Sequence, residues 1–485
     1  MTPPYHSGVD EIAGRWIPLG LVYLAAAARQ ARVTPAIYDA MARGDGFGDV
    51  ERRLRDTNAD YVATSAMTAT IDAAVRTLEL AKAANPRTVT ILGGIHPTFM
   101  YEEVLAGTAA VDYIVCGEGE ATLRQLLEVL EAGGDPATVP GIAFRAPGGT
   151  ITATARRPLL DDLDALEAAW DLIAWDDYTC LAIPGSRLGA VSTSRGCDQG
   201  CRFCSQQKFW GRSWRSRDPQ RVADELAYLH GTYGVNVFLI TDEYPTRDRK
   251  RWEALLDAVI AREMPVHLLM ETRGADIIRD RDILGKYRTA GVIYVSVGIE
   301  TADQGFLDAE GKRMATDEVR EVFELLRAEE IVSEGSFMLG FPDETPASIN
   351  RTIQMVQQYN PDIANFFTYT PWPYAEGYRD LEPRIRVRDY GKYNMVDPVL
   401  EPEGMSMLQV EVAQADSYRR FYMGKIIEFM TMKADFRRDY LMGITRLFMG
   451  SSFVMRKLGI GLFGKIPAKM EEMRRGKDES RQLTR

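Results

Sequence analysis

Cysteine is scarce in this chain, with five among 485 residues, so a disulfide-framed secreted scaffold is excluded. Basic charge is also short. Lys and Arg number 58 against 69 Asp and Glu, a formal net charge of −11, whereas an extended nucleic-acid footprint needs clustered cations. No uninterrupted apolar stretch approaches the ~20 residues that span a bilayer. The opening MTPPYHSGVDEIAG lacks a basic start and an apolar h-region, so no signal peptide is expected. The remaining composition, 46% hydrophobic and 26% charged, predicts a soluble cytoplasmic protein of two or three domains that binds no nucleic acid.

Over residues 1–145, short β-rich runs alternate with helical patterns. Strands are expected at 34–39, 60–65, 88–93 and 112–116, and helices at 19–29, 69–84 and 121–132. Such alternation predicts an α/β, doubly wound, Rossmann-like parallel sheet. A hairpin at 141–145 and 150–154, turning at Pro147, Gly148 and Gly149, closes it. Residues 146–188 read as an acidic linker. From 189 to 380 a second series has strands at 190–194, 235–241, 266–272, 292–299, 334–339 and 363–368, with helices such as 219–231 and 317–328 between them. Six β/α units are too few for a closed eight-fold barrel, so a partial (β/α)6 barrel is expected. Residues 381–485 turn to helices rich in Met, Arg and aromatics. Between Arg437 and Arg485, twelve Lys and Arg against five Asp and Glu give +7, with apolar groups at 447–449 and 458–463. This fits an amphipathic surface near anionic lipid, or a tail packed on its own barrel, rather than a membrane span.

Three of the five cysteines, Cys197, Cys201 and Cys204, fall within eight positions directly after a predicted strand. Spacings of three and two let one loop place three thiolates around a [4Fe–4S] cubane and leave one iron open for chemistry. Gly196 and Gly200 are expected to let the backbone wrap close. Structural zinc would need a fourth ligand, and none lies nearby in sequence. Three unrelated thiols would be an odd cluster in so cysteine-poor a chain. Cys116, in a predicted strand, and Cys180, in the linker, read as small buried hydrophobes without assignment.

The Cx3Cx2C spacing, with aromatic Phe203 before the last cysteine and a barrel pattern over about 190–375, resembles the radical S-adenosylmethionine superfamily. The resemblance implies that S-adenosylmethionine ligates the open iron and is cleaved to a 5′-deoxyadenosyl radical. It also implies nucleotide contacts at successive strand ends. Asp242 and Glu243 would meet the methionine amino group, Arg273 its carboxylate and Glu300 the ribose hydroxyls, while Gly340 would let backbone approach the adenine. Phe203 belongs with this set. Taken singly, each reads equally well as a solvated loop charge or a turn glycine.

The loops at 65–68, 93–98 and 117–120 resemble the cobalamin-binding domain that precedes the barrel in one class of these enzymes. Ligands of a doubly wound sheet sit at the carboxyl ends of its strands, which makes Ser65, Thr68, Gly93, Gly94, Gly117 and Glu118 the candidate contacts. Cobalamin proteins that place a histidine on cobalt carry Asp-x-His-x-x-Gly here. This chain has Asp39, Met41 and Gly44, so no protein histidine is expected on the metal. His96 reads as a structural residue in a turn. Residues 5–8 resemble the loop after the first strand of such a sheet, so that strand is expected to be missing from the sequence as given.

Over nearly the whole chain the likeness is to anaerobic magnesium-protoporphyrin IX monomethyl ester oxidative cyclases. It rests on residues 5–8 with 11–14, and on 93–96, 204–210, 369–373 and 419–423. That family implies formation of the isocyclic ring in (bacterio)chlorophyll biosynthesis without oxygen, the keto oxygen coming from water. It implies a tetrapyrrole substrate, for which the aromatic segment 365–374 offers Tyr369 and Trp372, residues that suit a core loop equally. It further implies a reducing donor such as flavodoxin or ferredoxin, and peripheral membrane contact through the C-terminal region. Two alternatives stay open. A cobalamin-dependent radical C-methyltransferase on another substrate keeps every cofactor motif. A non-catalytic cobalamin sensor would need neither the cysteine triad nor the strand-end charges. No catalytic residue is assigned.

Overall fold

The two alternating series form two sheets. In the computed structural model, which describes residues 1–6 and 16–450, the first sheet contains β1 (Tyr61–Ser65), β2 (Val89–Gly93), β3 (Tyr113–Val115), β4 (Ile142–Arg145) and β5 (Ile151–Ala153), in that spatial order. β1 to β3 are parallel, and β4–β5 add an antiparallel hairpin at one edge. The sheet is buried on both faces, as a parallel sheet must be. Val50, Leu54, Ile71 and Leu78 belong to one apolar group, and Leu123, Leu126 and Leu127 to another. Because β5 pairs here, the sheet runs past residue 145 into the stretch read as linker.

Two expectations need correction. Residues 34–39 form no strand: they pair only at Asp39, through an isolated bridge to Thr2, because no longer partner runs beside them among the described residues. His96 is not in a turn but in the first turn of the helix Ile95–Gly107. Pro97 is compatible with that position, since the first N–H groups of a helix have no intrahelical partner. The Met1 amino group donates to the Ala63 carbonyl (2.6 Å) and the Thr2 N–H to that of Tyr38 (3.1 Å), so these two residues lie between β1 and the 34–39 stretch. Residues 7–15, including 11–14, lie outside the described residues, as do 451–485 with the 458–463 apolar group.

The second sheet runs β6 (Leu188–Val191), β9 (Val237–Ile240), β10 (His267–Thr272), β11 (Val292–Glu300), β12 (Val332–Leu339) and β13 (Ile363–Thr368), all parallel. It is the open six-stranded partial barrel that the pattern predicts. A separate antiparallel pair, β7 (Ser194–Arg195) and β8 (Arg215–Ser216), flanks the cysteine-bearing loop. An open barrel leaves an edge strand with unpaired backbone. Helix Met407–Thr431 covers that edge at β13. The Phe366 N–H donates to the Tyr418 hydroxyl (3.1 Å), the Gln414 amide to the Phe366 carbonyl (2.7 Å), and the Tyr422 hydroxyl to the Ala364 carbonyl (3.2 Å).

The connecting segment between the sheets is not slack. Trp170, Trp175 and Tyr178 are buried in the main core. The Trp170 indole donates to Glu225 (3.1 Å) and the Tyr178 hydroxyl to Asp39 (2.8 Å). Among the described residues, no helix is long and apolar enough to cross a membrane.

Candidate functional site

The carboxyl ends of β1, β2 and β3 face those of β6 and β9 across a cavity of about 430 Å³. Ser65, Gly93, Gly94 and Gly117 line it from the first sheet, and Ser194, Trp210, Thr241 and Glu243 from the second. Gly94 has φ +102°, and a Cβ there would collide with the Ala66 backbone, so only glycine fits. Around Gly117, at φ +79°, a Cβ would meet nothing within 4 Å. Ser65, Gly93, Gly94 and Gly117 leave room at the strand ends beside Glu118, Glu120 and Arg195, which border the same space, where a doubly wound sheet takes its ligand.

The other two candidates from this sheet are engaged elsewhere. Thr68 is buried outside the lining and shares its hydroxyl with His96 Nδ1 and the Tyr374 hydroxyl, each at 3.2 Å. Burial pushes the His96 imidazole down to about 4, and its Nε2 has no partner among the described residues. Glu118 borders the cavity, but its carboxylate accepts from Arg195 (3.0 Å), Arg215 (3.0 Å) and the Leu160 N–H (2.7 Å). Glu120 takes a second Arg195 bond at 2.7 Å. Burial alone would raise the Glu118 carboxyl; its bonds to Arg215, Leu160 and Arg195 outweigh this and hold it below its ordinary 4.5. Glu118 therefore joins the first sheet to β7 and β8, the strands that flank the cysteines.

The cysteine loop starts at β7. A Cβ on Gly196, at φ +90°, would collide with the Ser213 carbonyl, so the two ends of the loop pack backbone to backbone. Glu243 ties the same ends, accepting from the Gly196 N–H (3.1 Å) and the Trp210 indole (2.8 Å). Gly200, expected to serve close wrapping, has neither a positive φ nor crowding of its own. The close approach is made instead by Gly311, at φ +70°, whose Cβ would stand 3.1 Å from the Gly200 carbonyl. Within the loop the Cys204 N–H donates to the Cys201 carbonyl (3.2 Å) and the Gln206 N–H to Cys204 Sγ (3.4 Å). Phe203 is half-buried there.

Burial pushes the Cys197 thiol up to about 11 and those of Cys201 and Cys204 above their ordinary 9.0, while Arg273 and Lys312 pull the other way. Iron binding must displace these protons, and the two cations favour the resulting thiolates. Among the described residues, no three His, Cys, Asp or Glu side chains converge as they would around one metal ion. A cubane needs no such convergence, because its thiolates sit on different irons. The loop fits the cluster. Cys180 lies in the main core and Cys116 packs against the first sheet's core, both apart from the loop.

At the barrel strand ends, Asp242 departs from its expected place. It is buried, and its oxygens accept from the Thr193 N–H (2.7 Å), the Thr193 hydroxyl (2.6 Å) and the Ser194 hydroxyl (2.6 Å). Its carboxylate anchors the β6–β7 connection. Arg273 lies over the Tyr244 ring at 5.6 Å and donates to the Arg313 carbonyl at 2.7 Å. Glu300 ends β11 at φ +68°, a strained conformation for a side chain of this size. It pairs with Lys312 at 2.6 Å, both being largely buried. Gly340, at φ +82°, faces Val410 of helix Met407–Thr431, which a Cβ would approach to 2.9 Å, so it serves helix packing. Tyr369 is buried with its ring 5.5 Å from that of Phe341. Trp372 packs against Ile385, Tyr393 and Val399. Glu243, Arg273 and Glu300 thus gather around the cysteine loop, whereas Asp242, Gly340 and Trp372 serve packing and anchorage. Arg195, Arg215, Gly311 and Lys312 were missed by sequence reasoning; only Arg195, next to Gly196, carried a local signal.

Residues 5–127 match the B12 binding domain family and residues 191–356 the radical SAM superfamily. The anaerobic magnesium-protoporphyrin IX monomethyl ester cyclase of Rubrivivax gelatinosus is 37% identical over 467 residues, covering 95% of this chain and 84% of that protein. The cyclase of Cereibacter sphaeroides is 37% identical over 466 residues, covering 95% and 74%. Among solved structures, the cobalamin-dependent S-adenosylmethionine radical enzyme OxsB, with aqua-cobalamin and S-adenosylmethionine bound, aligns with a TM-score of 0.69 at 14% identity, covering 97% of this chain and 74% of that one. That last likeness is one of fold, a cobalamin-binding domain followed by a radical S-adenosylmethionine domain.

Proposed function

Since the chain belongs to the family of anaerobic magnesium-protoporphyrin IX monomethyl ester cyclases, with a B12 binding and a radical S-adenosylmethionine domain, we propose that it closes the isocyclic ring of that ester without oxygen, drawing the keto oxygen from water. The observation that carries this is likeness along 95% of the chain, which reaches well beyond the cofactor motifs. Cys197, Cys201 and Cys204 hold the [4Fe–4S] cluster. Glu243, Arg273 and Glu300 with Lys312 surround S-adenosylmethionine, and Ser65, Gly93, Gly94 and Gly117 line the cobalamin site. Met41 stands where cobalt-ligating relatives carry a histidine, so this segment would offer cobalamin no imidazole. When bound, the cluster and S-adenosylmethionine would supply a 5′-deoxyadenosyl radical able to remove hydrogen from the propionate side chain. The protein's part is to hold the macrocycle edge against that radical and to exclude bulk water. Tyr369, buried beside Phe341 at the end of β13, belongs to the aromatic segment 365–374 that would border a flat ring.

A one-electron donor of the flavodoxin or ferredoxin class supplies the reducing electron. Peripheral docking on anionic lipid is supported by exposed Met423, Ile427 and Met430 on helix Met407–Thr431 and by the basic stretch that follows. Sedimentation with anionic vesicles at low salt checks it, and absence of binding removes it.

The deciding experiment incubates reduced holoenzyme with the ester, S-adenosylmethionine and oxygen-labelled water, anaerobically. A five-ring product labelled at its keto oxygen, with no added methyl group, is expected. A product heavier by one methylene, with S-adenosylhomocysteine formed in step, assigns the chain to methyl transfer instead. No 5′-deoxyadenosine at all would leave a sensor.

A further inference from the structure

Strand alternation sends a row of polar side chains into the barrel. On β11, half-buried Tyr294, Ser296, Gly298 and Glu300 alternate with fully buried Val295, Val297 and Ile299. The buried set joins the outer core, so the alternate set faces the lumen. Register carries one level across three strands: Glu271 of β10 stands beside Ser296 of β11, and Ser296 beside Glu334 of β12. Glu334 is saturated, accepting from the hydroxyls of Tyr294, Ser296 (3.1 Å) and Ser336 (3.3 Å).

Glu271 differs from it. The residue is open to the lumen, and among the described residues its carboxylate has no hydrogen-bond or ion-pair partner. It stands two positions beyond Leu269, whose β9 partner Leu239 lies two before Thr241. Thr241 borders the interdomain cavity, so Glu271 stands one strand away from the cavity's edge. Glu271 is the exposed position of its strand, so its unpartnered carboxylate is open to water or to a ligand in the lumen.

We propose that Glu271 is the acid–base residue of the barrel, taking the proton released when water adds to the oxidised substrate carbon. This rests on the cyclase function proposed above. Hydrogen-atom loss to the 5′-deoxyadenosyl radical leaves a carbon radical. Its one-electron oxidation, for which the iron–sulfur centre oxidised in cleaving S-adenosylmethionine would be the acceptor, leaves an electrophilic carbon. A lone pair of water forms the C–O bond. One O–H bond then breaks with its electrons kept on oxygen, and the proton passes to the Glu271 carboxylate. In sum, S-adenosylmethionine, the C–H group and water become methionine, 5′-deoxyadenosine, the alcohol and one proton.

The surroundings suit the task. Burial pushes the Glu271 carboxyl up to about 7, the carboxylates of Glu334, Glu243 and Glu300 add to the rise, and Lys312 opposes it. A base poised near the working pH is both available and strong enough.

The test compares wild-type holoenzyme with E271Q and E271D under the anaerobic conditions above. In E271Q, 5′-deoxyadenosine forms at close to the wild-type rate while the water-labelled product falls about 100-fold. E271D recovers part of that loss, and the near-neutral limb of the pH–rate profile disappears in E271Q alone. Without turnover, the infrared difference between wild type and E271Q carries a carboxyl C=O band that titrates near neutrality. Equal yields and equal pH profiles in wild type and E271Q overturn the assignment, as does absence of that band. A wild type that makes no five-ring product overturns the cyclase function instead, and the infrared band then decides on Glu271 by itself.

Discussion

The strand ends of the two sheets meet across one cavity and are furnished in opposite ways. The first sheet presents Ser65, Gly93, Gly94 and Gly117, small and uncharged, while its acids Glu118 and Glu120 are taken up by Arg195. The second presents Glu243, Arg273 and Glu300 with Lys312, above the Glu271–Ser296–Glu334 row. A bulky preassembled cofactor asks for room, which missing side chains provide. A charged nucleotide and a reacting carbon ask for charges held in place, which takes a network that fixes each one. The same strand-end rule therefore yields a container on one side and a reactor on the other.

Single substitutions separate the two. The largest effect belongs to Cys201→Ala: iron content and the ~400 nm absorbance expected of a thiolate-bound cluster should fall to near background, while cobalamin still binds. Full iron content would remove the cysteine assignment, and Cys116→Ala or Cys180→Ala should change nothing.

Glu118→Gln comes next, because it weakens the contact that holds container to reactor. It leaves Arg195 and Arg215, whose side chains are 11% and 13% exposed, short of an anion. Breaking one side of a buried ion network costs about 3 kcal/mol, readable by denaturant titration. The pH dependence has a definite sign. The Glu118 carboxyl is held below 4.5 when folded, so its stabilisation is fully present above that value and is lost as pH falls through the folded value. The gap between wild type and Glu118→Gln should be constant at neutral pH and close on acidification below 4.5. A gap that persisted in acid would count against it.

Gly94→Ala should cost about 2 kcal/mol through its left-handed backbone and the collision with Ala66. Cobalamin stoichiometry should fall while iron content holds. Gly93→Ala, whose Cβ would meet its nearest neighbour at 3.8 Å, should keep thermal stability and sharpen the contrast. Smallest is Trp210→Phe, which removes one hydrogen bond to Glu243. About 1 kcal/mol of stability should go, with normal iron loading but faster iron loss to a chelator.

The barrel was the more legible half in sequence. Its apolar strand runs are long, and β13 occupies residues 363–368 as its pattern predicts. The cysteines were legible because their spacing is local. Residues 34–39 have strand-like composition, but a strand is defined by its partner, and among the described residues they pair only with Thr2. Gly93, Gly94 and Pro97 are breakers in isolation, which disguised the helix Ile95–Gly107, although glycine before a helix and proline in its first turn suit its start. Glu118 meets Arg195 and Arg215 from 77 and 97 positions away, a pairing no local pattern reveals. Asp242 was read as a ligand contact by resemblance, and only the fold reveals that Thr193 and Ser194 donate to its oxygens. Glu271 was invisible for a related reason: one acid in an apolar run says nothing of lumen or surface until register is known.

The two ends of the cysteine loop are tied by protein contacts, the Gly196 N–H and the Trp210 indole both donating to Glu243, with the Thr193 and Ser194 hydroxyls on Asp242 just before it. A loop whose ends are held together has less chain entropy left to lose when its middle is ordered. Part of the cost of gathering three thiolates is thereby met by residues that never touch iron, and the grip on the cluster is set as much by Glu243 as by the ligands.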